Sequence, residues 1–232
     1  MTAEQTETDT SVGFGQAEMA YLLHLQPTAG SRASASWLRL SEESENQAIT
    51  RAGLSSLIAR GLATVDGSDV HFDMRVDIVA YTLANARRWT QLDLLVDAEE
   101  GDSVLHAESD RTKLLLQPRT MMSWFTLPQD PTVSAEAAEA YIVRDHLTRN
   151  PDGGVRIRSG LLRGGRQLLI RKDNRGYVHA VPTIVFAEDN RGYVHAVALD
   201  DAVGAETLAQ TDDELTATLS AFRSEAGASD VI

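Results

Sequence analysis

Residues 173–181 read DNRGYVHAV, and residues 189–197 repeat that phrase letter for letter, sixteen positions on. Each copy follows an apolar run, Leu168-Leu169-Ile170 and then Ile184-Val185-Phe186. Each places Asp-Asn-Arg-Gly between two β-rich arms. Asn and Asp tolerate turn geometry, and Gly takes the positive φ that a type I turn with a bulge needs. The pattern predicts turns at 173–176 and 189–192, in two adjacent antiparallel hairpins of one sheet or in a meander kinked at Pro182. No catalytic signal accompanies it.

The remainder of the chain bounds the function. The 232 residues suffice for one large domain or two small ones with a substantial core. There is no cysteine, so disulfides, thiolate metal sites and a cysteine nucleophile are excluded, and a cytosolic protein fits this usage. No apolar run approaches the roughly 20 residues of a membrane span. The first ten residues have no basic residue and no apolar core, so they do not read as a signal peptide. The formal net charge of −13 argues against a general binder of nucleic acid or anionic membrane.

Taken in order, residues 1–12 read as a disordered arm and 13–226 as one α+β domain, divisible into two pseudo-repeated halves, 13–131 and 132–226. Residues 227–232 read as a frayed tail. Residues 16–25 form a short apolar helix or strand, and 27–35 a loop. Ser41 and Ser44 among Glu42, Glu43 and Glu45 make a capping-rich helix start. Ala48, Ala52, Leu54, Leu57, Ile58 and Leu62 then recur at helical spacing, with Gly61 where a C-terminal cap glycine is expected. A small hairpin turns at Asp66-Gly67, and a second helix carries Val76, Ile78, Val79, Leu83 and Ala86. A helix followed by a hairpin is winged-helix-like. Leu54, Leu57, Ile58, Leu62, Ile78, Val79 and Leu83 are expected as one buried cluster. Strands follow at 89–96, 103–108, 111–117 and 121–127, close enough to be antiparallel neighbours. Ser134 caps a helix to about residue 147, with Ala138, Tyr141, Ile142 and Val143 inward. The last helix starts near Thr211 and points Leu215, Leu219 and Phe222 to one side. The order predicts an α+β fold, a central antiparallel sheet flanked by helical bundles.

Motifs for chemistry are weak. Gly13-Phe14-Gly15 opens like a dinucleotide fingerprint, but Glu18 holds the third glycine position. His179 and His195 occupy equivalent places in the repeat, and duplication explains the pairing better than a metal. The pairs Glu99/Glu100 and Asp212/Asp213 read as solubility and capping. No catalytic residue, cofactor site or metal site is expected. The basic stretch is different. Arg156, Arg158, Arg163, Arg166, Arg171, Lys172 and Arg175 fall within twenty residues against one acid, Asp173. A carboxylate or phosphate would be held by such forks. Arg156, Arg158, Arg163 and Arg166 are therefore the candidate partner-binding residues. The helix with Arg51 and Arg60 would offer DNA a surface, but Glu42, Glu43, Glu45, Asp66 and Asp69 flank it and repel phosphates.

Residues 51–96, RAGLSSLIARGLATVDGSDVHFDMRVDIVAYTLANARRWTQLDLLV, resemble the EspG family of type VII secretion chaperones. An Arg-Gly-Leu phrase ends a helix, then come a hairpin, a helix and an alternating strand, Leu92-Asp93-Leu94. The Arg191-Gly192-Tyr193 phrase before a final amphipathic helix is similar too. The resemblance implies a central antiparallel sheet between two helical bundles. It also implies a cytosolic, non-enzymatic chaperone that binds a secreted helical pair of PE–PPE-like or WXG100 type. The rival expectation is a transcription regulator with a winged-helix domain and a β-rich effector domain. Neither nucleic acid nor membrane is expected as a partner.

Overall fold

A computed structural model describes residues 11–97, 100–160, 166–173, 176–180, 184–188, 194–198, 207–209 and 211–228. The fold is α+β with antiparallel sheet, as the element order predicts. The chain divides into two compact units, Met1–Trp89 with Leu105–Pro131, and Thr90–Val104 with Thr132–Ile232.

The first unit opens with β1 (Val12–Gly15), α1 (Gln16–Leu25), α2 (Ala29–Leu38), α3 (Ser41–Glu45) and α4 (Gln47–Ala59). The hairpin β2 (Ala63–Asp66) and β3 (Asp69–Phe72) and helix α5 (Met74–Asn85) follow. Next come β4 (Arg88–Leu95) and β5 (Gly101–Glu108), each divided between the units, then β6 (Lys113–Arg119) and β7 (Ser123–Pro128). The strands of this unit run in the order β1-β7-β6-β5, with antiparallel pairing along the row. Phe14, Leu114, Leu116 and Trp124 from the sheet meet Met19, Leu22, Leu57, Val79 and Leu83 from the helices in one core.

Two expectations change here. Residues 27–35 are not a loop, because α2 begins at Ala29. Thr28 Oγ1 accepts from the Ser31 N–H at 2.9 Å and Ser31 Oγ accepts from the Thr28 N–H at 2.9 Å, a reciprocal cap made with two hydroxyls. The small residues that look like a loop are there for close approach. A Cβ on Gly30 would lie 2.5 Å from the Ala84 carbonyl of α5, and Ser34 Oγ donates to the Leu83 carbonyl at 2.8 Å. The second change concerns α4. Its helix is capped by Asn46, whose side chain accepts from the Ala48 and Ile49 N–H groups. Thr50, Gly53 and Leu57 are its buried face, while Ile58 is 39% exposed and Leu54 half-buried. The face is rotated toward Gly53 because α1 comes so close there that no Cβ fits.

Glu18 ties the start of the chain together. Its carboxylate is buried and accepts from the Gly15 N–H at 2.9 Å and from Ser56 Oγ at 2.7 Å. Arg60 Nη1 donates to it at 2.6 Å and to the Gly13 carbonyl at 3.0 Å. The N-terminus of α1 is thus filled by the protein's own anion rather than open to a phosphate.

The second unit adds α6 (Ala135–Arg149), β8 (Gly154–Gly160), β9 (Arg166–Asp173), β10 (Gly176–Ala180), β11 (Ile184–Glu188), β12 (Val194–Ala198), β13 (Thr207–Ala209) and α7 (Asp212–Ala228). Its strands run β4-β8-β9-β10-β13. Leu92, Val155, Ile157, Leu168 and Ile170 pack with Val143 and Leu147 of α6 and with Leu215, Leu219 and Phe222 of α7. On α6 the inward residues are Ala135, Glu139, Ala140, Val143, His146 and Leu147, and Tyr141 is 59% exposed. Of the expected inward residues Val143 is buried and Ile142 packs against the core, whereas Tyr141 is turned out. Glu139 is inward because Arg223 of α7 reaches it, Nη1 to Oε1 at 2.5 Å.

The repeat folds into two hairpins but not into one sheet. β9 and β10 pair in the main row, whereas β11 and β12 form a separate two-stranded sheet and β13 takes the place beside β10. The registers also differ. Tyr177 faces Lys172 in the first copy, but in the second Val194, not Tyr193, faces Glu188. Identical local sequence therefore allows two pairings one residue apart, and the flanking arms choose between them. The central turn residues 174–175 and 189–193 lie outside the described residues, as do residues 1–10 of the arm expected at 1–12; Val12 is not part of an arm, because it is buried in β1.

Candidate partner-binding surface

Alternation along β8 separates the core from the candidate site. Val155, Ile157 and Ser159 are buried on one side, and Arg156 and Arg158 emerge on the other. On β4 the same alternation buries Leu92 in the core and turns Asp93 toward the arginines. Arg156 Nε donates to Asp93 Oδ2 at 2.7 Å, and Arg158 Nη2 lies 3.5 Å from the same oxygen. Gln91 Nε2 donates to Asp93 Oδ1 at 2.7 Å. Across the next ladder Arg158 stands opposite Gln167 and Arg156 opposite Leu169.

The arrangement fixes two guanidinium groups side by side on one carboxylate. The Asp93 side chain is 10% exposed and that of Arg156 is 38% exposed, so this pair is better shielded than a surface ion pair yet still open to water. Asp93 aligns both side chains, which lowers the entropy cost of presenting them to a partner. Both guanidinium groups stand on the non-core face of a chain whose formal net charge is −13. Paired arginines of this kind attract carboxylates and steer their approach.

The four candidate residues are not all brought together by the described residues. Arg156 and Arg158 share Asp93. Arg166 opens β9 with its backbone opposite Ser159, and Arg163 lies outside the described residues. Asp93 itself was missed as an organiser. Its signal was present in the Leu92-Asp93-Leu94 alternation, which places an acid on the non-core side of a strand.

The other polar groups have structural work. His146 is buried near the end of α6. Its Nε2 lies 3.0 Å from the Leu95 carbonyl and its Nδ1 lies 3.3 Å from Asn150 Nδ2. The tautomer protonated on Nε2 satisfies both, donating to the carbonyl and accepting from the amide. His179 and His195 stand on β10 and β12, strands of different sheets. On the helix–hairpin segment, Arg60 is engaged by Glu18, and Arg75 pairs with Asp73, its Nε 2.9 Å from Oδ1.

No protein-family model matches the chain. No curated protein matches it. Among solved structures, it is similar to the Mycobacterium tuberculosis type VII secretion system chaperone EspG5, solved in complex with a PE25–PPE41 dimer. The TM-score is 0.44 at 10% sequence identity, over 72% of this chain and 82% of that one. This is a distant structural resemblance. Among the described residues, no helix is long and apolar enough to cross a membrane.

Proposed function

We propose that this protein is a non-enzymatic cytoplasmic binding protein of the type VII secretion chaperone kind. Its partner is a PE–PPE-like or WXG100-type helical pair, and Arg156, Arg158, Arg163 and Arg166 contribute to the surface that holds it. The observation that carries this reading is the pair Arg156 and Arg158, aligned by Asp93 on the strand face away from the core. A carboxylate of a partner fits a guanidinium fork in this setting better than it fits a lysine. The chaperone class is supported by the sequence resemblance over residues 51–96, which fold as helix, hairpin, helix and strand in the implied order. The regulator reading is weaker because Arg60 and Arg75 on the helix–hairpin segment are spent on Glu18 and Asp73.

The test is a pull-down from native lysate, with partners identified by mass. Wild type should recover a small helical pair. The variant Arg156→Gln with Arg163→Glu should recover at least about tenfold less, since one lost charge-assisted hydrogen bond costs roughly 1.5–3 kcal/mol. Equal recovery by a variant with an unchanged melting curve removes these arginines from the binding surface. Recovery of a specific DNA fragment instead of a protein overturns the chaperone reading.

A further inference from the structure

On β7 the side turned away from the core has the wrong polarity for a surface that meets only water. Along β7, Trp124 and Thr126 turn inward, while Phe125 and Leu127 turn outward and are 38% and 41% exposed. An antiparallel strand with one wet face ordinarily reads the other way, polar out. The inward threonine is accounted for, because Thr126 Oγ1 donates to the Val12 carbonyl at 2.8 Å and fastens β1. The outward Phe125 and Leu127 have no such role. Phe125 stands between Gly13 on β1 and Gln117 on β6, and Gly13 adds no side chain to cover it. An open groove of about 320 Å³ follows, bordered by Gly13, Gly15, Arg119, Trp124 and Phe125.

The same hairpin ends in a strained apolar tip. Arg119 pairs with Ser123 across the loop 120–122, and Met121 and Met122 have φ of 60° and 53°. Two consecutive residues at positive φ suit Asn and Gly, and methionine is disfavoured there. Met121 is 95% exposed and Met122 47%, so burial does not repay the strain. Backbone strain that its surroundings do not repay clusters at functional sites. Methionine also adapts its shape to different apolar surfaces.

The charge of the region points to the occupant. Arg119 is the charged residue bordering the groove, and none of the residues lining it is acidic, in a chain of net charge −13. Arg119 lies over the Phe125 ring at 5.8 Å, beside the groove. We infer that the outer face of β1, β7 and β6, with the Met121-Met122 tip, docks an amphipathic helix of a protein partner whose apolar stripe is bordered by carboxylates. Phe125, Leu127 and the methionines take the stripe, and Arg119 takes a carboxylate. A second copy of this chain, docking an acidic surface of its own, is the competing occupant, and protection of Met121 that rises with protein concentration in the absence of peptide would overturn the inference. This surface shares no residue with the Arg156 and Arg158 cluster, so failure here leaves the proposed function standing.

The test uses the full chain and a labelled synthetic helix of roughly eighteen residues, with a leucine stripe flanked by Glu. Controls are the same peptide with Lys for Glu, and vesicles of phosphatidylcholine with phosphatidylserine. Binding is read by fluorescence anisotropy, and contact by the rate of peroxide oxidation at each methionine, which follows exposure. Met74, 66% exposed, is the internal reference. The Glu peptide should slow oxidation of Met121 by about fivefold or more and leave Met74 unchanged. Met121→Asn with Met122→Gly keeps a turn that accepts positive φ, should raise the denaturation midpoint, and should weaken the peptide about tenfold or more. Arg119→Gln should weaken the Glu peptide and leave the Lys peptide unchanged. The inference is overturned if the Lys peptide binds as well as the Glu peptide, if Met121 is not protected, or if only vesicles protect it.

Discussion

Gly53 sits where α4 crosses α1, and Gly53→Ala sets two known effects against each other. In an isolated helix the substitution stabilises by about 1 kcal/mol, because alanine loses less backbone entropy. Here the added Cβ would lie 1.9 Å from the Ala17 carbonyl oxygen, 2.5 Å from its carbon and 2.9 Å from Tyr21 Cβ. Two of these three atoms are backbone, so no side-chain rotation relieves the contact. Helix α1 must move by more than about 1 Å to restore a normal contact distance. That helix carries Met19, Leu22 and Leu23 into the core, so the displacement loosens them as well. Overpacking costs about 1–3 kcal/mol and occasionally more, and a backbone clash this deep belongs at or above the upper end. The clash therefore outweighs propensity, with a net loss of about 2 kcal/mol or more. For a chain of this size that is a fall in Tm of roughly 4–8 °C. The assay is thermal unfolding followed by circular dichroism, with Ser55→Ala on the exposed side of the same helix as the propensity control. If Gly53→Ala melts at or above the wild-type temperature, the close α1–α4 packing is not what selects glycine.

Three further outcomes follow from the same packing. Leu57 is fully buried, so Leu57→Ala should cost about 2–5 kcal/mol by denaturant titration, and Ile58→Ala, at a 39% exposed site, less than half of that. Arg223→Met leaves the buried Glu139 carboxylate without its 2.5 Å partner and should cost about 3–5 kcal/mol, whereas the double change with Glu139→Met should recover much of that loss. Hydrogen bonds from the Arg75 side chain and N–H hold the Asp73 carboxyl below its ordinary value of 3.8. Its contribution is thus present above that value and lost as pH falls through the lowered one. Asp73→Ala should be less stable than wild type at neutral pH, and the gap should close in strong acid. A constant gap across the titration would show that the ionised cap is not its source.

Much of the architecture was legible where local chemistry and burial agree. The hairpin at Asp66-Gly67, the caps at Ser134 and Thr211, and the final stripe Leu215, Leu219 and Phe222 all fall where turn and cap chemistry put them, with Gly67 at φ 62°. Legibility failed where small or charged residues face inward. Residues 27–35 looked like a loop because Gly, Ser and Ala carry little periodic signal, yet Gly30 and Ser34 among them let α2 meet α5. The inward place of Glu139 on α6 could not be read from the sequence, since its burial depends on Arg223, 84 residues away.

The candidate site divides the same way. The run of arginines and the alternation of β8 can be read from the chain, because side-chain direction in a strand follows a period of two. That Asp93 stands between Arg156 and Arg158 cannot, because it depends on which strand lies beside β8. The repeat makes the limit plain: the described residues of both copies of DNRGYVHAV stand in antiparallel pairs, but in two registers and in two sheets. Turn chemistry is local and acts within a few residues. Strand neighbours, register and the pairing of buried charge are settled by contacts between segments distant in sequence, and these form only when the whole unit packs.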